Sequence, residues 1–84
     1  MLMKFVYLLQ SIPHPEQRYI GLTSDLDTGL TAHNAGQSSH TAKYRPWKIV
    51  SFHAFTDEAK AADFEKYLKS GSGRAFANNR FWSD

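Results

Sequence analysis

The chain has 84 residues, a net charge of +2, 42% hydrophobic and 14% aromatic residues, and no cysteine. This length fits one small domain and excludes an α/β barrel or a full dinucleotide-binding fold, while the absence of cysteine excludes disulfide frameworks and thiolate zinc sites. The apolar run at residues 5–9 is too short to span a bilayer, and no signal-peptide pattern precedes it, so we expect a soluble cytoplasmic protein.

A hairpin of two strands is predicted at the start of the chain. Residues 5–9 are apolar and rich in β-formers, and residues 18–23 have the same character. Between them, residues 11–15 predict a turn because two prolines there cannot donate to a strand ladder.

A helix and a third strand are predicted next. Ser24 is the predicted N-cap of the helix, and Gly36 is its predicted stop. Polar residues 37–45 then lead to a strand that begins near Trp47 and passes through Phe52.

The remainder of the chain predicts two helices. Thr56 is the predicted cap of a helix over residues 57–69, whose apolar stripe consists of Ala61, Phe64 and Leu68. Residues 70–73 are expected to end it, and a short helix is expected over residues 74–80. The resulting order, ββαβαα, predicts an α/β fold with a small, three-stranded, mainly antiparallel sheet flanked by helices.

Positive charge is concentrated in the second half of the chain. Residues 40–80 carry eight Lys or Arg against four Asp or Glu, whereas residues 1–39 carry two against three. A basic half fits a polyanionic partner because each neutralised phosphate releases counterions, although an ordinary solvated surface has the same composition.

Glu65 does not fit a purely structural account of the second long helix. Its position on the helical wheel, near Ala61 and Leu68, turns the carboxylate towards the protein. An inward carboxylate needs a metal, a cation or a hydrogen-bond network, and an ion pair with Lys69 four residues later meets the same need.

Tyr7, Tyr19, His33 and Gly29 also need explanation. The tyrosines lie centrally in the predicted hairpin, where they are usually core residues, and His33 shares the inward face of the first helix with Leu26 and Leu30. Gly29 lies on that face too, where glycine costs about 1 kcal/mol of helix stability relative to alanine. The four histidines lack zinc-motif spacing, so a structural metal site is not expected.

Four segments, in this order, resemble the GIY-YIG nuclease family, and especially its small stand-alone bacterial members. They are Val6 and Tyr7 with the YIG of residues 19–21, the first-helix segment 30–36, the loop-to-strand segment 40–48 and the second-helix segment 65–74. The resemblance covers residues 5–76 and extends to the N-terminal nuclease module of the bacterial excinuclease. It implies that residues 1–84 form a single GIY-YIG-like nuclease domain.

The resemblance implies metal-dependent hydrolysis of DNA phosphodiester bonds. Glu65 would hold one divalent ion, Mg²⁺ or Mn²⁺, and Tyr7 would be the general base, aided by Tyr19 or His33. The implied nucleic-acid contacts are Arg18, His40, Lys43, Arg45, Lys69 and Arg74. Asn78 or Asn79 would supply an asparagine that some relatives have late in the chain.

One departure from the family concerns catalysis directly. The family has an arginine four residues before the helical histidine, and this chain has Gly29 there, near the acidic Asp25 and Asp27. That arginine is expected to bind the scissile phosphate. Three alternatives follow: an active nuclease in which Arg18, Lys43 or Arg45 replaces the arginine; a degenerate module that binds nucleic acid or protein; or an interaction domain with exposed aromatics such as Phe81 and Trp82.

The short length also bears on partners. Larger relatives attach DNA-targeting domains to the nuclease module, and 84 residues leave no room for one. We therefore expect DNA as substrate or ligand, a possible protein partner for targeting, weak sequence specificity and, as the resemblance implies, a role in DNA repair.

Overall fold

The structure, a computed structural model, describes residues 2–82. The strands are β1 (Lys4–Ser11), β2 (Arg18–Thr23) and β3 (Trp47–Phe55). The helices are α1 (Leu26–Asn34), α2 (Ser39–Ala42), α3 (Glu58–Leu68) and α4 (Gly71–Asn78). Among residues 2–82, none of these helices combines the length and the hydropathy that a membrane span requires.

The three strands form one antiparallel sheet in the order β2-β1-β3. Tyr7 on the central strand pairs with Gly21 on β2 and with Phe52 on β3, so these three residues form one row across the sheet. A register shift between Leu8 and Leu9 interrupts the pairing of β1 with β3. The predicted three-stranded antiparallel α/β fold is confirmed.

Helices cover both faces of the central strand, which explains its nearly continuous apolar sequence. On one face Val6 and Leu8 pack in a cluster to which α3 and α4 contribute Ala61, Leu68 and Ala77. On the other face Tyr7 and Leu9 pack with Trp47 and with the partly buried leucines of α1, Leu26 and Leu30. Alternation along β1 therefore places Tyr7 on the α1 face of the sheet.

Two predicted N-caps are wrong by one residue. Asp25, not Ser24, caps α1, because its carboxylate accepts from the Thr28 N–H at 3.1 Å. Asp57, not Thr56, caps α3 and accepts from two N–H groups of the first turn. In each case the aspartate, not the hydroxyl residue before it, is placed so that its carboxylate reaches the free N–H groups. Its negative charge also interacts favourably with the positive end of the helix dipole.

The segment predicted as a polar crossing, residues 37–45, contains the short helix α2. Its one buried side chain is Thr41, so the segment has no apolar periodicity that would have predicted it. The predicted end of α1 at Gly36 is confirmed, since Gly36 has φ +78°, a conformation that glycine adopts without a steric penalty.

The predicted glycine-rich break at residues 70–73 is mostly helical. Ser70 caps α4 by accepting from the Gly73 N–H at 3.2 Å, and the helix begins at Gly71. Gly73 is buried against the backbone of Tyr67 and Leu68, so it serves close packing of α4 on α3. Residue 11, predicted in the first turn, instead ends β1.

Candidate active site

Tyr7 on β1 and His33 on α1 meet on one face of the sheet. The Tyr7 hydroxyl oxygen lies 3.0 Å from His33 Nε2, and the two residues are only 5% and 8% exposed. They meet because Tyr7 points to the α1 face of the sheet while His33 is the buried residue of α1. The structure thus joins two of the predicted catalytic residues in one hydrogen bond.

Thr41 on α2 holds the other ring nitrogen of His33. His33 Nδ1 lies 2.8 Å from Thr41 Oγ1, and that hydroxyl donates to the Ser38 carbonyl at 3.5 Å. A hydroxyl that donates to a carbonyl accepts from Nδ1–H, which leaves Nε2 as the acceptor for the Tyr7 hydroxyl proton. Trp47 Nε1 in turn donates to the Thr41 carbonyl at 2.8 Å and anchors α2.

Sequence reasoning missed Thr41 as a residue of this site. Its only signal was its position in the family-like segment 40–48, in which a threonine by itself indicates no chemistry. The contact depends on α2 folding back against α1, and this requires the buried indole of Trp47.

Tyr19 on β2 completes an aromatic cluster with Tyr7 and His33. Its ring centroid lies 4.6 Å from that of His33 and 6.1 Å from that of Tyr7. Gly21 leaves room for both tyrosines, because a Cβ added there would lie 2.8 Å from atoms of each ring. The three predicted residues Tyr7, Tyr19 and His33 therefore form one cluster that only glycine at residue 21 permits.

Burial sets the protonation of this cluster. Desolvation, followed by the neighbouring Tyr19, raises the pKa of Tyr7 to about 12 from its ordinary value of 10.0. Desolvation also lowers the pKa of His33 below its ordinary 6.5. At neutral pH both groups are therefore uncharged, with a proton on the phenol and a free acceptor on the imidazole.

A groove of about 610 Å³ opens beside Tyr19 at the β2 edge of the sheet. It is lined by parts of β2, α2, α3 and α4 and by Trp82. Six of the predicted site residues share it: Arg18, Tyr19, His40, Lys69, Arg74 and Asn78. Because three of these are cationic and Glu16 is the only acidic residue that the described chain contributes to the lining, the groove favours an anionic ligand.

Glu65 on α3 lies one turn before the groove residue Lys69. The Lys69 ammonium donates to the Glu65 carboxylate in an ion pair at the i,i+4 spacing. The Glu65 side chain is 19% exposed, as the predicted inward lean requires. Of the two explanations left open by the sequence, the ion pair is present, and it leaves the carboxylate accessible to solvent.

Three other predicted residues do not line the groove. Lys43, at the end of α2, lies over the Tyr44 ring with its ammonium 5.3 Å from the ring centroid. Arg45 is exposed beside Gly36, and Asn79 is the exposed C-cap of α4. These residues thus lie apart from the groove cations Arg18, Lys69 and Arg74.

The expectation that Phe81 and Trp82 form an exposed surface is wrong. Both are half-buried and pack against the cluster of Val6, Leu8 and the inner faces of α3 and α4. The two apolar side chains complete the core under α4. Because they follow the last helix, no helical periodicity in the sequence predicts that they are buried.

Comparison with known proteins decides the family. The model of the GIY-YIG catalytic domain matches residues 3–79, nearly the whole chain. This chain belongs to the GIY-YIG family.

Curated relatives of this chain are named as endonuclease subunits. The chain is 37% identical over 81 residues to the structure-specific endonuclease subunit SLX1 of Candida dubliniensis, covering 88% of this chain and 28% of that protein. It is 41% identical over 80 residues to the SLX1 subunit of Kluyveromyces lactis, covering 87% of this chain and 28% of that protein. The chain therefore spans less than a third of the length of these relatives.

A solved structure supports the fold alone. The UPF0213 protein BH0048 from Bacillus halodurans, solved by NMR in solution, superposes with a TM-score of 0.55 over 93% of this chain and 84% of that one. Its sequence identity is 23%, so the similarity is one of architecture.

Gly29 is the residue at which the family resemblance predicts an arginine. It lies on α1 one turn before His33, and so on the same side of the helix. A Cβ added to Gly29 would contact Thr23 at 3.5–3.6 Å, an ordinary van der Waals distance. The backbone therefore accommodates a side chain here, and close packing is not the reason for the glycine.

The described side chains fit a metal ion only if Glu65 is its single carboxylate ligand. Within residues 2–82 no three His, Cys, Asp or Glu side chains are grouped as metal ligands. Glu65 provides a partly exposed oxygen donor next to the groove. Mg²⁺ and similar hard ions accept one protein carboxylate when water and phosphate oxygens supply the remaining ligands, so Glu65 is compatible with such an ion.

Proposed function

We propose that this chain is a divalent-metal-dependent endonuclease that hydrolyses phosphodiester bonds in branched DNA. The observation that carries the proposal is the buried hydrogen bond between the Tyr7 hydroxyl and His33 Nε2, next to a groove with three cations. Branched DNA is the proposed substrate because the curated relatives are named structure-specific endonuclease subunits.

The proposed base is Tyr7 acting together with His33. A tyrosine whose pKa is raised to about 12 is almost entirely protonated at neutral pH, so it cannot act as a preformed anion. Instead, the Tyr7 oxygen accepts a proton from the attacking water while its own hydroxyl proton passes to His33 Nε2. His33 is ready to receive it because burial keeps the imidazole neutral and Thr41 orients the ring.

Glu65 would hold the metal, Mg²⁺ or Mn²⁺. When bound, such an ion polarises a phosphoryl oxygen and stabilises the leaving oxygen. The Lys69 ammonium contacts Oε2 of Glu65 and would compete with the ion for that oxygen. Because Lys69 also lines the groove, its ammonium is placed to contact a phosphate of the DNA.

We propose that Gly29 lowers turnover relative to family members that have an arginine there. Removal of one donor to a developing negative charge commonly costs 10²–10³ in rate as an order of magnitude. Asp25 and Asp27 on the same helix end add repulsion towards a phosphate.

A protein partner is proposed for targeting. The support is that the curated relatives are named as subunits. We assign the activity to cytoplasmic DNA repair, as the resemblance to the excinuclease module implies, with specificity for DNA structure rather than for sequence.

The test is a cleavage assay on end-labelled duplex, nicked and flapped DNA with Mg²⁺, Mn²⁺ or chelator. Wild type should cut a branched substrate only with metal, whereas Tyr7→Phe and Glu65→Gln should lose most activity. Tyr67→Phe, which removes the hydroxyl of an exposed tyrosine on α3, is the matched control and should cut normally. Wild-type activity in Tyr7→Phe would overturn the mechanism, and absence of cleavage on every substrate would overturn the nuclease assignment.

A degenerate DNA-binding module is the second candidate, and Gly29 is the observation that favours it. It predicts binding of DNA that weakens steeply with salt, without hydrolysis. Gain of cleavage in Gly29→Arg from an inactive wild type would establish this candidate, and efficient turnover by wild type would eliminate it.

A further inference from the structure

We propose that Arg18 is the guanidinium that binds the scissile phosphate in this chain, in the role that Gly29 leaves empty. The inference rests on the proposed nuclease function and deepens it. Three cations were candidates from the sequence, namely Arg18, Lys43 and Arg45. Arg18 is the one that lines the groove, whereas the other two lie elsewhere on the surface.

Arg18 is held by two contacts with the end of the chain. Its Nη1 donates to Asn78 Oδ1 at 3.2 Å, and its guanidinium carbon lies 4.9 Å from the centroid of the Trp82 ring. A guanidinium fixed in this way loses less conformational entropy when it binds, and its remaining N–H groups stay free for a phosphate.

Within residues 2–82, no acidic side chain forms an ion pair with Arg18. Among residues 2–82, the ion pairs are Lys4 with Glu58, His14 with Glu16, and Lys69 with Glu65. Arg18 takes part in none of them, although Glu16 also lines the groove. Its partners in the described part of the chain are an amide and an indole, and neither carries a negative charge that would compete with a phosphate.

The groove links Arg18 to the proton-transfer residues through Tyr19. The two side chains leave β2 on opposite faces of the sheet, but both line the groove at this sheet edge. The Tyr19 ring packs on His33 with centroids 4.6 Å apart and on Tyr7 with centroids 6.1 Å apart. A phosphate held by Arg18 in the groove would therefore lie beside the ring that contacts both members of the Tyr7–His33 pair. Arg74 lines the same groove, but within the described part of the chain no side-chain contact fixes it, so it suits general attraction of DNA rather than positioning of one phosphate.

Arg80 provides a matched control for this inference. Its guanidinium carbon lies 4.4 Å from the Phe76 ring centroid and its Nη1 donates to the Phe76 carbonyl at 3.1 Å. Arg80 thus has the same two kinds of contact as Arg18, but it does not line the groove.

The experiment compares Arg18→Met, Arg80→Met, Gly29→Arg and the double variant Arg18→Met/Gly29→Arg in single-turnover cleavage and DNA binding. Arg18→Met should lower the cleavage rate constant about 100-fold, as loss of a transition-state donor does. It should also reduce the salt slope of DNA binding by about 0.9, the value for one phosphate contact. Arg80→Met should leave both within twofold, and Gly29→Arg should restore at least a tenth of the lost rate in the double variant.

The outcomes separate this inference from the proposed function. If wild type cleaves and Arg18→Met cleaves equally well, the assignment of Arg18 is wrong while the nuclease stands. If Gly29→Arg does not restore cleavage in the double variant, residues 18 and 29 do not share a role. The inference that Arg18 takes the place of the family's arginine is then wrong. If wild type binds without cleaving, an unchanged salt slope in Arg18→Met overturns the assignment. If wild type neither cleaves nor binds DNA, the proposed function fails and takes this inference with it.

Discussion

Gly21 on β2 lies directly opposite Tyr7 on β1, and a Cβ added to the glycine would be 2.8 Å from both Cζ and Oη of the tyrosine. The same Cβ would lie 2.8 Å from Cε2 of Tyr19. The glycine therefore sets how closely the two tyrosines approach β2, and with it the position of the hydroxyl that reaches His33. Tyr19 and Gly21 of the YIG motif therefore both pack against the Tyr7 ring.

Gly21→Ala should damage both stability and the site. Contacts of 2.8 Å are shorter than carbon atoms tolerate, and overpacking of this kind costs about 1–3 kcal/mol of unfolding free energy. We also expect the Tyr7–His33 hydrogen bond to lengthen and cleavage to fall. Urea unfolding and NMR of the imidazole nitrogens measure the two effects. Gly71→Ala is the control because no atom of the described residues lies within 4 Å of its added Cβ, and equal effects of both substitutions would contradict the prediction.

The sequence predicted the sheet and the long helices because their cores follow simple periodicity. The apolar run of β1 and the apolar stripe of Ala61 and Leu68 on α3 are both visible within short stretches of sequence, and the two elements pack against each other in one cluster. The N-caps were each missed by one residue because two adjacent residues, as at Ser24 and Asp25, both have capping side chains.

The parts of the site that were not predicted depend on contacts between distant segments. Thr41 reaches His33 through a four-residue helix with one buried side chain, which leaves no periodic pattern. Arg18 contacts Asn78 and Trp82, which lie about sixty positions later in the sequence. The family motifs identify most of the site residues. Only the tertiary structure shows that Arg18 lines the groove and that Lys43 and Arg45 do not.

Tyr7 should make the protein less stable at alkaline pH. Its pKa is about 12 in the folded chain and 10.0 ordinarily, so between these values the unfolded chain loses a proton that the folded chain keeps. The stabilisation is complete below pH 10 and is lost as pH rises towards 12. Tyr7→Phe should flatten this decline in urea unfolding, relative to wild type, while Tyr67→Phe controls for loss of an exposed tyrosine. Parallel curves for wild type and Tyr7→Phe would refute the raised pKa.

His33 should give the opposite dependence on the acid side. Burial lowers its pKa below 6.5, so its contribution to stability is present above pH 6.5 and is lost as pH falls through the folded-state pKa. Because His33 must be neutral to accept the Tyr7 proton, cleavage should follow the same limb, with its midpoint below pH 6.5. Single-turnover rates against pH, with NMR titration of the imidazole, measure this. A midpoint above pH 6.5, in the cleavage rate or in the titration of His33, would contradict the assignment.

Lys69 should compete with metal for Glu65. The Lys69 side chain is 51% exposed, so its pair with Glu65 is worth about 0.2–1 kcal/mol, which corresponds to at most about a fivefold change in affinity. Lys69→Met should therefore strengthen Mn²⁺ binding several-fold, and Glu65→Gln should weaken it greatly. Electron paramagnetic resonance of free Mn²⁺ measures both without DNA. Lys66→Met removes an equal charge from the same helix, and an equal gain in that variant would mean that general charge, not the ion pair, is responsible.

Gly29→Ala should stabilise the protein. The added Cβ meets Thr23 at ordinary contact distances, and replacing a glycine inside a helix by alanine gains about 0.5–1 kcal/mol. Gly36→Ala is the opposite control, because its φ of +78° disfavours any side chain and the added Cβ would collide with Arg45. Chemical unfolding of the two variants gives the comparison. If Gly29→Ala instead destabilises the chain, the helix does not accept a side chain there, and any change in cleavage by Gly29→Arg would report a distorted α1. If it stabilises, that change reports the guanidinium itself.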